Sequence, residues 1–117
     1  MAEILIVDDS RTSRKFLREI LERNGHTVVA EAVNGEDGYL KYKEFRPQIV
    51  TMDITMPVMN GVESLSLIKK ENPEAIVLMI TAVGQKEKMI EAVKRGATEF
   101  ILKPFNEAEI IGALERV

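Results

Sequence analysis

Three aspartates and a lysine follow apolar, β-branched runs of strand length. Asp8 and Asp9 close EILIVDD, Asp53 closes QIVTMD, and Lys103 stands in EFILKP. Thr81 closes AIVLMIT in the same way. In a parallel sheet such positions fall along one edge, so residues distant in sequence meet in one pocket. At about 4 Å and an effective dielectric of about 20, each pair of carboxylates repels by roughly 4 kcal/mol. A chain keeps three of them together when a cation sits there or when the chemistry needs them. The pattern therefore points to a divalent metal beside a nucleophile or a phosphate-handling group.

An aspartate at a strand end can attack phosphorus and form an acyl phosphate. That chemistry needs charge neutralised on the attacking and departing oxygens. A hard cation on Asp9 and Asp53 would do so, with Asp8 helping through water. Magnesium suits a site offering few protein ligands better than calcium does. Lys103 can place its ammonium on phosphoryl oxygens, and Thr81 can donate a hydroxyl hydrogen bond. Pro57 shapes the loop MDITMPVMNG after Asp53, and Asn60-Gly61 signals a turn. The plainer alternative has Asp8 and Asp9 as acidic caps of a following helix.

These residues need elements to hold them. Strands are predicted near residues 3–8, 27–32, 48–53, 75–81 and 98–102 from continuous apolar runs. Helices are predicted between them. The first begins at an N-cap near Ser10, buries Phe16, Leu17, Ile20 and Leu21, and stops at Asn24-Gly25. The second covers 35–45, the third 62–71 and the fourth 84–95. The fifth starts at Asn106 with Glu109 in capping-box spacing and buries Ile110, Ala113, Leu114 and Val117. Five βα units predict an α/β, doubly wound, flavodoxin-like five-stranded parallel sheet of order 2-1-3-4-5. Strands one and three then flank the switch point, where ligands bind.

Bulk properties narrow the rest. At 117 residues the chain is expected to form one domain, residues 1–117, with a core of its own. A net charge of −3 with no basic run argues against direct nucleic-acid binding. The absence of cysteine excludes disulfides and thiolate sites and fits a reducing cytoplasm. No apolar stretch reaches the length of a membrane span, and MAEILIVDDS is not a signal peptide. His26, the sole histidine, reads as a loop residue. Arg11, Arg14, Lys15 and Arg18 offer either a docking face for an acidic partner or a solvated helix face.

The acid pair in IVDDS, the segment TMDITMPVMNG, Thr81-Ala82 and Lys103-Pro104 together resemble a response-regulator receiver domain. Any one of these motifs is weak; four in this order along the whole chain are specific. The resemblance is closest to the single-domain chemotaxis members of that family. It implies that Asp53 accepts a phosphoryl group from a histidine kinase or its phosphotransfer domain. It implies a Mg2+ site from Asp8, Asp9, Asp53 and the backbone carbonyl of Thr55, with Thr81 and Lys103 binding the phosphoryl group. It makes Phe100 the aromatic switch residue, working with Thr81, and Lys103-Pro104 a peptide that is often cis.

The same resemblance implies a monomeric cytoplasmic switch rather than a metabolic enzyme. Its output face is the fourth helix, fifth strand and fifth helix, and the expected target is a flagellar motor switch protein. Phe100 lacks a tyrosine's hydroxyl, so it can turn inward without being fixed there by a hydrogen bond. Thr55 and Val83 match positions that tune acyl-phosphate hydrolysis, and neither brings a carboxylate or amide to orient water. Alternatives are a receiver cut from a longer regulator and an aspartyl-phosphate hydrolase. The hydrolase pattern wants an acid two residues after the nucleophile, where Thr55 stands. A flavin-binding module would need a hydroxyl- and glycine-rich loop where Asp8 and Asp9 lie.

Overall fold

The computed structural model describes all 117 residues. Five strands alternate with five helices: β1 (Glu3–Val7), α1 (Arg11–Arg23), β2 (Thr27–Ala32), α2 (Gly35–Phe45), β3 (Ile49–Asp53), α3 (Gly61–Glu71), β4 (Ile76–Ala82), α4 (Lys86–Lys94), β5 (Glu99–Lys103) and α5 (Glu107–Glu115). All strand pairs are parallel and the order is 2-1-3-4-5, as the βα alternation predicts.

Side-chain alternation along the strands splits the core into two layers. Leu5, Val7, Val50, Met52, Val77 and Met79 meet Tyr42, Leu65, Ile68 and Ala92 from α2, α3 and α4. Ile4, Ile6, Ile49, Leu78 and Ile80 face the other way, onto Leu17, Ile20 and Leu21 of α1 and Ile110, Ala113 and Leu114 of α5. Continuous apolar runs were therefore the correct sign of strands covered on both faces.

Helix ends follow local chemistry. Ser10 caps α1 by accepting the Ser13 amide, and Gly25 follows the helix at φ 86°. Asn106 and Glu109 form the expected capping box. Three expectations fail. Helix α4 starts at Lys86 rather than residue 84, because Gly84 takes the left-handed φ of 94° and Gln85 provides no side-chain cap. Phe16 is exposed rather than in the core: Leu17, Ile20 and Leu21 form the buried stripe, and Phe16 lies at its edge against Phe105, ring centroids 5.6 Å apart. Val117 lies beyond the last residue of α5 and is exposed.

One buried group is unpaired. Thr51, on β3 between Ile6 of β1 and Leu78 of β4, buries its Oγ1 without a hydrogen-bond partner. An unsatisfied buried hydroxyl costs roughly 1–3 kcal/mol. Thr51→Val, which keeps the branched shape, is expected to raise the urea unfolding free energy by about 1–2 kcal/mol. An unchanged or lower midpoint would count against that cost.

Candidate functional site

The C-terminal ends of β1, β3 and β5 bring the acids and the lysine together. Carboxylate oxygens of Asp8, Asp9 and Asp53 lie within 4.8 Å of one another. Asp8 and Asp53 are buried and Asp9 is exposed. Lys103 Nζ donates to Asp8 Oδ2 at 2.9 Å and to Asp53 Oδ2 at 3.3 Å. The second oxygen of each buried acid is held from the backbone. Asp8 Oδ1 accepts the Ser10 amide at 2.8 Å, and Asp53 Oδ1 accepts the Ile54 amide at 2.9 Å. Since Ser10 supplies the cap of α1, the acids are not its caps and remain available to the pocket.

The electrostatics are unequal across the lysine bridge. Burial pushes the Asp53 carboxyl above its ordinary range, and the Asp8 charge adds to this. The Lys103 charge and the Ile54 amide oppose the rise without cancelling it. Burial also disfavours the Lys103 ammonium, but its hydrogen bond to Asp8 and the charges of Asp53 and Asp8 outweigh that and raise its pKa. Lys103 sits closer to Asp8 than to Asp53. Asp53 is thus an under-solvated anion, which favours any cation that approaches it.

Loop geometry fixes Asp53 from behind. A Cβ on Gly61 would stand 1.9 Å from the Asp53 carbonyl oxygen, so only glycine lets α3 begin there. The Gly61 amide donates to the Ile54 carbonyl, and the Gly35 amide to the Met59 carbonyl, both at 2.8 Å. Between these pins Val58 is held at φ 70°, a costly conformation for a β-branched residue.

The remaining expected residues lie as follows along the chain and sheet. Thr55 lies exposed two residues beyond Asp53. Thr81 is buried near the end of β4, in register with Leu102, and the next pair is Ala82 with Lys103. Phe100 is half-buried on β5 opposite Met79 and packs on the core layer under α4. The Lys103–Pro104 peptide is cis. His26 accepts the Ala2 amide on Nδ1, away from the site, in keeping with a loop role.

Two features were not read from the sequence. Arg14 and Arg18 are not a free cationic face: both bind the Glu31 carboxylate, leaving Arg11 and Lys15 exposed. Beside Lys103, Ser13, Phe16, Ala82, Pro104 and Phe105 line a cavity of about 430 Å³. A phenylalanine on the first helix and another after the fifth strand look like core residues until their packing is known.

The Response regulator receiver domain family matches residues 4–115. This chain belongs to that family. The receiver domain is 46% identical over 114 residues to the chemotaxis protein CheY of Thermotoga maritima, covering 97% of this chain and 95% of that protein. It is 45% identical over 113 residues to CheY of Bacillus subtilis, covering 97% and 94%. Among solved structures, a chain of the CheX–CheY–BeF3–Mg2+ complex from Borrelia burgdorferi superimposes with a TM-score of 0.91. The identity there is 37%, covering 96% of this receiver domain and 85% of that chain.

The donor set also fits a hard divalent ion. Three carboxylates against one ammonium leave about two negative charges uncompensated, and every donor is oxygen.

Proposed function

We propose that this receiver domain is a phosphorylation-controlled switch of the CheY type, with Asp53 as its phosphoacceptor. The observation that carries the proposal is the placement of Asp53. Its carboxylate is buried and under-solvated, fixed by the Ile54 amide, and faces both a lysine and two further acids. The CheY relatives at 44–46% identity, which this chain covers over nearly their whole length, support the chemotaxis role.

Asp8, Asp9, Asp53 and the Thr55 carbonyl would hold Mg2+. That ion supplies charge neutralisation for the transferring phosphoryl group. The protein's own residues do the rest. An Asp53 oxygen bonds to phosphorus while the bond from phosphorus to the donor histidine nitrogen breaks; that nitrogen keeps the electron pair, and the donor ring, protonated on its other nitrogen, leaves as neutral imidazole. Lys103, already shared by Asp8 and Asp53, pairs with phosphoryl oxygens. The Thr81 hydroxyl, one residue before the end of the adjacent strand, donates to another.

Phosphorylation adds charge and acceptor oxygens where Thr81 and Lys103 can reach them. Movement of Thr81 toward the phosphoryl group frees space on the β4–β5 edge for Phe100 to turn inward. Ile90 and Val93 on α4 and Leu102 on β5 are exposed apolar residues on that output face. Inverting a 1:99 population takes about 5.5 kcal/mol. Two or three charge-assisted hydrogen bonds at roughly 1.5–3 kcal/mol each supply about 3–9 kcal/mol, a range that spans this requirement. The output target is a flagellar motor switch protein, and the phosphodonor is a histidine kinase or its phosphotransfer domain. Arg11 and Lys15, with the Phe16–Phe105 pair beside Lys103, give the donor a cationic and aromatic rim to approach.

The decisive test is intact mass after incubation with acetyl phosphate. One phosphoryl group gained with Mg2+ and lost on chelation is the expected result. No gain under either condition, with a histidine phosphodonor also ineffective, would reject phosphoacceptor chemistry.

A further inference from the structure

We propose that Arg14 is a positioning residue for the metal-binding acids, acting through the Asp8 carbonyl and held in place by Glu31. The inference rests on the Mg2+ reading above and assigns it a support on α1 and β2. Arg14 Nη1 donates to the Asp8 backbone carbonyl at 2.8 Å. Its Nε donates to Glu31 Oε1 at 2.9 Å. Glu31 is itself fixed through its backbone on β2, where its carbonyl takes Lys41 Nζ at 2.6 Å; its other carboxylate oxygen separately takes Arg18 Nη1. One residue further along β2, the Ala32 carbonyl accepts the Asp8 amide at 3.0 Å.

The carbonyl that Arg14 holds belongs to the peptide joining Asp8 to Asp9. That unit is planar, so its orientation sets the direction in which the Asp9 Cα and side chain leave. Asp9 is exposed, so the course of its own backbone does most to direct its carboxylate. Asp8, on the near side of the same peptide, presents its side chain to the Ser10 amide and to Lys103. Arg14 therefore aligns two of the three acids without touching the metal site. A guanidinium suits the task because its rigid fork donates in two directions at once, to Glu31 and to the carbonyl. An ammonium acts as a single point charge and cannot span both acceptors in one geometry. The side chain is only 14% exposed, so little water competes for either bond.

The test uses the full chain and magnesium chloride. Mg2+ affinity is measured by calorimetry for wild type, Arg14→Ala, Arg14→Lys and Arg18→Ala. The rate of acetyl-phosphate labelling is followed at low and saturating Mg2+. Arg14→Ala is expected to weaken Mg2+ binding about tenfold, the low end for groups that orient metal ligands. Saturating Mg2+ should restore most of its labelling rate, and Arg14→Lys should fall between it and wild type. Arg18→Ala breaks a different bond to Glu31 and should keep wild-type affinity. Wild-type Mg2+ affinity in folded Arg14→Ala would overturn the inference. So would an equal loss in Arg18→Ala, which would make the contact a general staple between α1 and β2. If Arg14→Ala fails to fold, Arg14→Lys against Arg18→Ala makes the same comparison. A wild type that takes up no Mg2+ overturns the metal reading and this inference with it, and is told apart by that control.

Discussion

Asp53→Asn is expected to abolish acetyl-phosphate labelling, by more than about a thousandfold, while making the protein more stable. The first half follows from removing the only oxygen anion that the pocket points at Lys103 from β3. An amide is neutral and does not attack phosphorus. The second half follows from the sign of the Asp53 shift. Burial raises its carboxyl pKa in the folded protein above the ordinary value of 3.8. A carboxyl raised in the fold prefers its neutral form there, so ionising it costs folding free energy.

That cost is absent below the unfolded pKa, where Asp53 is neutral in both states. It grows as pH rises past the ordinary value and is complete above the folded pKa. Urea midpoints in chelator should therefore favour Asp53→Asn at pH 7, with the gap closing toward pH 3. Adding Mg2+ should raise the wild-type midpoint more than the mutant's, since a ligand stabilises the state that binds it. Persistent full labelling in the mutant would move the phosphoacceptor elsewhere. A midpoint lowered at pH 7 would contradict the burial cost.

Gly61→Ala is expected to be the most damaging single methyl group. The new Cβ would lie 1.9 Å from the Asp53 carbonyl oxygen and 2.8 Å from its carbon. Those are backbone atoms, so the strain cannot be relieved by a side-chain rotation. Overpacking ordinarily costs about 1–3 kcal/mol, and contact with fixed backbone places this case at roughly 3–4 kcal/mol. At about 4 °C per kcal/mol for a domain of this size, Tm should fall by roughly 15 °C. Whatever yields must move Asp53 or the start of α3, so Mg2+ affinity should fall as well. Gly112→Ala is the contrast. It lies inside α5, its Cβ would meet only Arg116 Nη1 at 3.5 Å, and it should gain about 0.5–1 kcal/mol. A Gly61→Ala protein within 1 °C of wild type and with unaltered Mg2+ binding would refute this close-approach account.

Much of the fold was legible because its signals are local. Apolar runs placed five strands to within a residue or two, and Ser10, Gly25 and the Asn106–Glu109 box marked helix ends through interactions spanning a few residues. Sheet order followed from βα chirality and crossover rules. The acids and the lysine were legible because parallel strands end on one edge. Phe16 was misplaced because helical periodicity gives a stripe's spacing and not the width of the groove it meets, and Val117 because periodicity does not say that α5 stops at Glu115. Residue 84 was misplaced because a glycine is silent about whether it starts a helix or turns the chain before one.

Residue types and their spacing alone determined an acidic pocket with a lysine at the switch point of a parallel sheet. Only the tertiary structure decided how that pocket is tensioned: Lys103 nearer Asp8 than Asp53, Gly61 against the Asp53 carbonyl, and Arg14 drawn between Glu31 and the Asp8 carbonyl. These contacts join elements distant along the chain at ångström precision. Period and propensity act over a few residues and hold no information about such distances.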